Sequence, residues 1–402
     1  MESEPEAPKM NSEDQICRRN PKEENMVDDF DENPEVEIND STPDEDEPVM
    51  QDPFNPAEIN IVSKQDTLRN LIERLRHEEI DMATDFQRHA ELWDVQKMSR
   101  LIESILIRFP LPAFYFDASD EDKWLVVDGL QRLSSVRKFV VETDERKKLK
   151  LRGMEYLKEY IGKTYGELPR TYQRRIDECP VTLFLIQPGT PPNVKYSIFR
   201  RINTGGLVLT DQEIRNAMAK PEIREFLKRL ASDEYLIKTV GDQSKRMLDQ
   251  ELVLRFLAFR FMEYETSKKN ITTFLDEMVE KLEKSDSKEL DTYEKTFRLA
   301  IRRCWQIFDD SAFEKRTAET KNRRPRKSST LFEVWTTALA KLNESEMDIL
   351  IRERKKMIEK NIEMMTNDNE YFRSITYSTQ KRDYFRIRRD KLNALIQEVL
   401  NA

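Results

Sequence analysis

The segment around Asp128-Gly129 constrains the fold of this chain more than any other. The apolar run Trp124–Val127 ends at this pair, and helical spacing follows through Leu133, Val136 and Phe139. The chain has only eight glycines, and glycine accepts backbone conformations that other residues avoid. The pattern therefore predicts a strand, a sharp turn and a helix in succession. In that arrangement the first amides of the helix face the turn and favour a phosphate.

Similar patterns on both sides of this segment predict an α+β fold. Helical periodicity occurs in 66–76, 94–109 and 193–202, and short apolar runs predict strands at Ala113–Phe116 and Val181–Ile186. A capping box beginning at Thr210 predicts another helix. From Pro221 onward the patterns are almost all helical. We expect a small mixed sheet in the N-terminal half and a mostly α-helical C-terminal half.

The distribution of charge predicts three regions. Residues 1–56 hold 19 acidic and 4 basic residues with few large apolar ones, which indicates a disordered acidic tail. This tail either solubilises the protein or imitates nucleic-acid charge and competes for the basic body. Residues 57–402 carry a net charge of +6. Within them we predict a nucleotide-handling domain over 57–215 and a helical domain over 216–402.

Composition also excludes several classes of protein. No run of 18 apolar residues exists, so a membrane span is not expected. The acidic N-terminus does not resemble a secretory signal. The three cysteines form no CxxC pair and no disulfide pattern, which is typical of a cytoplasmic protein. We expect a cytoplasmic protein without a dedicated metal site.

The residues after the predicted strand can contribute to phosphate chemistry. Asp128 at a strand end can hold a metal ion or position water, and Gly129 lets the backbone approach a ligand. Arg132 offers a planar fork for phosphate oxygens, and Gln131 adds amide donors. The alternative is purely structural, with Asp128 as the helix N-cap and Arg132 as its salt-bridge partner.

Two further segments are candidates for ligand binding. Gln87 and Arg88 lie in a polar stretch before the 94–109 helix, where they either reach a ligand or form an exposed cap. Arg200 and Arg201 precede a glycine-rich turn formed by Asn203, Thr204, Gly205 and Gly206. Such a turn either forms an anion-binding nest or ends the helix with glycine in the left-handed conformation.

Together these segments resemble the DUF262 family, whose fold is similar to those of ParB and sulfiredoxin. The matching stretches are DFQRHAELWDVQKMSRLIESILIRFPLPAFYF with WLVVDGLQRLSSVRKF, and FRRINTGGLVLTDQEIRNA. The family includes the GmrS half of the GmrSD modification-dependent restriction enzymes and the anti-phage protein SspE. Its Asp-Gly-Gln-Gln-Arg motif supports nucleoside-triphosphate hydrolysis coupled to sensing of modified DNA.

The resemblance implies a set of roles for residues of this chain. It implies catalytic roles for Asp128, Gln131 and Arg132, with an NTP and Mg²⁺ as the cofactors. It implies nucleotide contacts for Gln87, Arg88, Gly129, Arg201, Asn203, Thr204, Gly205 and Gly206. The partners would be DNA, modified or not, and a separate nuclease subunit, and the chain is also compatible with a homo-oligomer.

Two departures from the family pattern qualify these expectations. Leu130 stands where the family has its first Gln. If the glutamine side chain is needed for turnover, hydrolysis is impaired in this chain; if position 130 faces the core, hydrolysis is unaffected. Many members carry an HNH nuclease, whose chemistry needs histidine. This chain has only His77 and His89, both before the Asp-Gly motif. A fused HNH nuclease is therefore excluded.

Two basic patches in the C-terminal half are candidates for DNA contact. The first comprises Arg323, Arg324, Arg326 and Lys327, and the second comprises Arg386, Arg388 and Arg389. A solvated loop or helix face is the alternative for both. The sequence thus supports an NTP-hydrolysing sensor subunit of a restriction or phage-defence system, a non-hydrolysing nucleotide- or DNA-binding adaptor that recruits a nuclease, or a helical interaction protein with a scaffold core.

Overall fold

The computed structural model describes residues 36–37, 55–82, 93–202, 209–267, 269–320, 326–377 and 379–402. Its strands are β1 Val36–Glu37, β2 Ile61–Thr67, β3 Ile80–Asp81, β4 Phe114–Asp117, β5 Trp124–Asp128, β6 Pro180–Ile186 and β7 Lys327–Ser328. Its helices are α1 Leu68–Arg76, α2 Val95–Leu106, α3 Leu130–Val136, α4 Arg170–Asp177, α5 Pro192–Ile202, α6 Asp211–Met218, α7 Pro221–Ala231, α8 Glu234–Val240, α9 Leu248–Phe261, α10 Ile271–Lys284, α11 Ser287–Phe308, α12 Ser329–Leu339, α13 Glu344–Arg352, α14 Arg354–Asn367, α15 Asn369–Thr376 and α16 Arg382–Leu400.

A mixed five-stranded sheet in the order β2-β6-β4-β5-β3 forms the N-terminal part. Strand β4 runs parallel to β6 and antiparallel to β5, and it lies between them. Strand β2 is antiparallel to β6, and β3 is parallel to β5. As a result, the starts of β4 and β6 and the ends of β5 and β2 meet at one edge of the sheet.

Each face of the sheet packs against its own set of helices. Alternation along β5 directs Trp124 and Val126 into the core shared with α1, α2 and α3. Val127 points to the opposite face, where it packs against residues of α5 such as Val194 and Phe199. Beyond Val126 this alternation is interrupted by a register shift, because Phe116 pairs with Val126 whereas the adjacent Tyr115 pairs with Asp128. The Asp128 side chain is held by an ion pair with Arg132 of α3.

The C-terminal part is helical around a separate and larger apolar core. Helix α9 is buried over all ten residues from Gln250 to Phe259, and α12 is buried along its whole length. Helices buried on every side occupy the centre of a helical assembly. The α+β prediction, with a small mixed sheet followed by a helical part, is confirmed. The predicted domain boundary after residue 215 falls inside α6 and stays a prediction, as does the likeness to ParB and sulfiredoxin.

Several predicted elements differ in extent from the observed ones. The helix expected over 66–76 begins at Leu68, because Asp66 and Thr67 belong to β2, which pairs with β6 along its full length. The helix expected to reach residue 109 ends at Leu106. Val36 and Glu37, within the predicted disordered tail, form β1 and pair in parallel with β7. In the described part of the chain no helix is long and apolar enough to cross a membrane.

Candidate nucleotide site

The Asp128 carboxylate stands at the end of β5, at the sheet edge where β4 begins. Its side chain is 37% exposed, and its Oδ2 accepts a hydrogen bond from Arg132 Nη2 at 2.8 Å. Asp128 is not the N-cap of α3: that position is Gly129, and no side chain caps the helix. A partly exposed carboxylate oriented by one arginine is therefore the reactive group that the turn offers.

Gly129 has a structural requirement for glycine. Its φ of +101° lies in the region that residues with a side chain rarely adopt. A Cβ at this position would also collide with the Phe114 ring. The sharp turn predicted from the sequence thus depends on Gly129 both for its backbone and for the close approach of β4.

Arg132 acts as a clamp on the start of β4. Its Nη1 donates to the carbonyl oxygens of Pro112 and Ala113, and its Nη2 donates to Ala113 at 3.1 Å and to Asp128. The guanidinium also stacks on Phe114, 4.6 Å from the ring centroid. Burial lowers the pKa of Arg132, against the opposing effect of Asp128. This arginine orients Asp128 and fixes the loop before β4, and its terminal N–H groups are engaged by the protein.

The other residues of the motif contact neighbouring segments. Gln131 Oε1 accepts a hydrogen bond from the backbone N–H of Trp93 at 3.1 Å. Leu130 is half-buried and packs against the cluster of Ala217 and Met247 as well as the main sheet core. Position 130 thus contacts apolar residues, and the effect of Leu130 on hydrolysis stays a prediction.

The remaining predicted nucleotide contacts are only partly covered by the structure. Gln87, Arg88, Asn203, Thr204, Gly205 and Gly206 lie outside the described residues. Arg201 is exposed near the end of α5, and its side chain makes no hydrogen bond or ion pair within the described ranges. Its neighbour Arg200 instead points inward, where its Nε donates to Asp211 at 2.7 Å and its Nη2 contacts Asp276 at 2.8 Å.

Two buried residues of α2 that sequence reasoning did not single out hold residues 152–157, a segment between α3 and α4. Glu103 accepts hydrogen bonds from the backbone N–H groups of Glu155, Tyr156 and Leu157 at 2.7–2.9 Å. Ser99 Oγ accepts one from Arg152 N at 2.9 Å. Both lie in SRLIES, residues 99–104, within the first stretch that carries the family resemblance, and their contacts give this part of the stretch a structural role. The signal in the sequence was a serine and a glutamate on the apolar face of an amphipathic helix.

The first basic patch is only partly available for DNA contact. Arg323 and Arg324 lie outside the described residues, and Arg326 is exposed. Lys327 is only 2% exposed, and its Nζ donates to the carbonyl oxygens of Asp310 and Ala312 at 2.6 and 2.8 Å. The prediction of a phosphate contact by Lys327 is corrected, because its ammonium group is used inside the fold.

The second basic patch is divided between the surface and the interior. Arg388 is 2% exposed and binds the carbonyl oxygens of Ser374 and Thr379 and the carboxylate of Glu333. Arg389 pairs with Asp390 and Glu265. Arg386 is well exposed and contacts only Asp383, at 2.7 Å, in the described structure. The predicted role of Arg388 in DNA contact is corrected by its burial.

The sheet, its Asp-Gly turn and the surrounding helices define an α+β domain of the DUF262 type. More particularly, residues 68–220 match the family model described as the N-terminal domain of the GmrSD restriction endonuclease. The chain therefore carries a GmrS-like N-terminal domain, as its resemblance predicted, and this domain relates it to restriction and phage-defence proteins. The match does not extend into the helical part beyond residue 220. No curated protein and no solved structure matches the chain.

Proposed function

We propose that this chain is a nucleotide-handling subunit of a DNA restriction or phage-defence system, and that it hydrolyses a nucleoside triphosphate at the Asp128 turn. The observation that carries the proposal is the Asp128 carboxylate itself. It is partly exposed at the sheet edge and is oriented by Arg132, within a GmrS-like domain. The family's hydrolytic motif contains the matching aspartate.

The chemistry of the turn fits a magnesium ion delivered with the nucleotide. Mg²⁺ in such enzymes is held by one or two carboxylates together with the substrate phosphates and water. Among the described residues no cluster of three or more metal-ligating side chains occurs. Asp128 would contact the ion, and the ion would neutralise charge on the phosphates. Arg132 would hold the carboxylate in place.

Phosphate release by the purified full chain, with Mg²⁺ and each NTP, tests this proposal. We expect Asp128→Asn to abolish turnover, because an amide cannot replace a carboxylate at the metal. Asp122→Asn is a matched control, since Asp122 is exposed in the turn before β5, at the far end of the strand. The proposal fails if no NTP is hydrolysed with or without DNA, or if Asp128→Asn is as active as the unmodified chain.

A second function, a nucleotide-binding adaptor that recruits a separate nuclease, is favoured by the contacts of Arg132. Four N–H···O contacts already engage its two terminal nitrogens, so in this conformation the arginine does not offer a free fork to a transferring phosphoryl group. NTP binding without phosphate release, together with gel-shift binding of DNA, supports the adaptor. Mg²⁺-dependent turnover that is lost in Asp128→Asn supports the hydrolase.

A further inference from the structure

A cavity of about 320 Å³ opens between the end of α2 and the start of β6. Its walls include Arg108, Phe109, Pro110, Arg175, Glu178 and Pro180. Its volume lies at the lower end of the range of about 300–1,000 Å³ that is usual for small-molecule sites. The residues that line it combine an aromatic ring, two guanidinium groups and a carboxylate, and none of them is among the site residues predicted from the sequence.

The backbone at Arg108 is unusual for a residue with a side chain. Helix α2 ends with hydrogen bonds from Arg108 N to Ile105 O and from Phe109 N to Ser104 O, and Arg108 has a φ of +67°. Glycine is the usual residue at this position of a helix terminus. Residues held in such sparsely populated conformations cluster at functional sites. The guanidinium of Arg108 is exposed and has no hydrogen-bond or ion-pair partner within the described ranges.

Phe109 presents an apolar surface next to this positive charge. The side chain is 56% exposed although it is large and apolar. The second arginine, Arg175, is held in place by donation from its Nη1 to Leu106 O at 2.9 Å, and it stacks on Tyr172. Exposed aromatic rings beside arginines bind nucleobases, because any base can stack on the ring while the cations attract phosphate. Glu178, 3.7 Å from Arg174 Nε, adds an acceptor at the rim for N–H groups of a base.

The cavity lies within reach of the Asp128 turn for a ligand of nucleotide length. Pro180 begins β6 and Asp128 ends β5, and only β4 separates these strands at the shared sheet edge. Along the strands, Asp128 is level with Phe184, four residues from Pro180. Two strand spacings and this offset put Pro180 and Asp128 about 16 Å apart, a distance that an extended nucleoside triphosphate can span. Arg132, which binds Asp128, stacks on Phe114 of the core that packs against α2 and α4, and Ile105 and Cys179 of the same core line the cavity. The Arg132 clamp fixes Pro112 and Ala113, and so anchors the loop that continues from the cavity wall.

We propose that this cavity binds the base and sugar of the nucleotide whose phosphates reach Asp128, with the base on Phe109 and with Arg108 and Arg175 near the first phosphate. This inference rests on the proposed function. It adds a second subsite, for the base and sugar, to the phosphate site at Asp128. The base is recognised mainly by stacking on Phe109, and the charge of Arg108 contributes independently of the base.

Isothermal titration calorimetry of the full chain with ATP, GTP, CTP, UTP and inorganic tripolyphosphate tests the subsite. We expect at least one NTP to bind more tightly than tripolyphosphate. Phe109→Ala should weaken the binding of that NTP by about tenfold, the loss typical of one stacked base. The affinity for tripolyphosphate should stay unchanged. Phe109→Tyr should retain affinity. Tyr156→Ala, at another exposed aromatic residue, is the matched control and should have no effect.

Arg108→Gly separates a binding defect from a folding defect. Glycine relieves the strained backbone at this position, so the variant should unfold at the same or a higher temperature. It should nevertheless bind both the NTP and tripolyphosphate several-fold more weakly. Wild-type affinity in Phe109→Ala and Arg108→Gly overturns the subsite alone, and NTP hydrolysis at Asp128 then still stands. If the unmodified chain binds no NTP, the subsite and the proposed function fail together.

Discussion

Arg132 Nη2 donates to Asp128 Oδ2 at 2.8 Å while the same guanidinium binds the carbonyl oxygens of Pro112 and Ala113. One side chain thus joins the candidate catalytic carboxylate to the loop before β4. Because Arg132 is largely buried and Asp128 is partly exposed, the two residues contribute differently to stability and to activity.

Substitution of these two residues should separate folding from chemistry. Arg132→Ala removes a largely buried side chain that donates to the carbonyl oxygens of Pro112 and Ala113, which should lower the free energy of unfolding by about 2 kcal/mol. Asp128→Asn keeps most of the clamp and should cost less than about 1 kcal/mol while it abolishes NTP turnover. Urea unfolding and phosphate release measure the two effects. Arg137→Ala, at an exposed arginine just after α3, is the control. Equal free energies of unfolding for Arg132→Ala and Asp128→Asn would contradict the claim that Arg132 holds the loop before β4.

Gly129→Ala should destabilise the fold for two reasons, both of which follow from adding a Cβ at this position. The φ of +101° is unfavourable for alanine, and its Cβ would collide with Phe114. We expect a loss of about 2 kcal/mol or more in the free energy of unfolding. Gly166→Ala is the matched control, because Gly166 has no positive φ and nothing lies within 4 Å of a Cβ built there. Similar melting temperatures for the two variants would rule out this account of the turn.

The elements around Asp128 could be predicted because their hydrophobic period changes within a few residues. Alternation through Trp124 and Val126 gives way to helical spacing at Leu133, and Asp-Gly separates the two. The capping box was equally local: Thr210 Oγ1 accepts from Glu213 N, and Glu213 Oε2 accepts from Thr210 N, as predicted. Signals contained in a short window are readable from sequence alone.

Other features depend on partners that are distant in the sequence. Strand β2 has the sequence IVSKQDT and is mostly exposed, so it shows no buried alternation, and it is fixed by backbone pairing with β6. Arg388 looked like part of a basic surface, yet it faces Glu333, 55 residues away. The cavity at Phe109 likewise forms only when the end of α2 meets the start of β6. No local pattern reveals these contacts.

Glu103 should make the stability of the fold depend on pH. Burial opposes ionisation, but hydrogen bonds from the backbone N–H groups of residues 155–157 hold the pKa of Glu103 below its ordinary value. The ionised group therefore contributes stability that is fully present above its unfolded pKa and is lost as the pH falls through the lower folded pKa. Glu103→Gln should cost about 2 kcal/mol at neutral pH.

The comparison across pH isolates the contribution of Glu103. Chemical denaturation between neutral pH and about pH 3 should show the difference between Glu103→Gln and the unmodified chain shrinking as the acid form takes over. Glu155→Gln is a suitable control, because the Glu155 side chain is exposed and pairs only with Arg100 in the described structure. A difference that stays constant with pH would show that ionisation of Glu103 does not matter.

DNA binding, if the helical part contributes to it, should depend on Arg386 and not directly on Arg388. Arg386→Ala should weaken DNA binding and reduce the salt dependence of the binding constant by about one unit of slope, as for one lost phosphate contact. Arg388→Ala should instead destabilise the fold by about 3–5 kcal/mol, because Glu333 keeps a buried charge. Gel-shift titrations at several salt concentrations and thermal unfolding measure these effects. An unchanged salt slope in Arg386→Ala would remove this residue from the interface.

The GmrS-like domain depends on the helical part for the pairing of its own buried charges. Arg215 in α6 is almost fully buried, and its Nε donates to Asp276 Oδ1 at 2.8 Å. Arg200 in α5 binds the same carboxylate. Asp276 belongs to α10, beyond the stretch that matches the family model. Without α10, two arginines would lose the carboxylate that they share.

Removal of Asp276 should therefore be costly, and the isolated GmrS-like region should not fold stably. Asp276→Ala leaves Arg215 buried without its carboxylate and should lower the free energy of unfolding by about 3–5 kcal/mol. Glu280→Ala, one turn later on α10 with its side chain paired only to Lys284 in the described structure, should cost less than about 1 kcal/mol. A fragment of residues 57–220 should show no cooperative unfolding transition by circular dichroism. A cooperative, soluble fragment would show that Asp276 is dispensable and that the predicted two-domain division holds energetically.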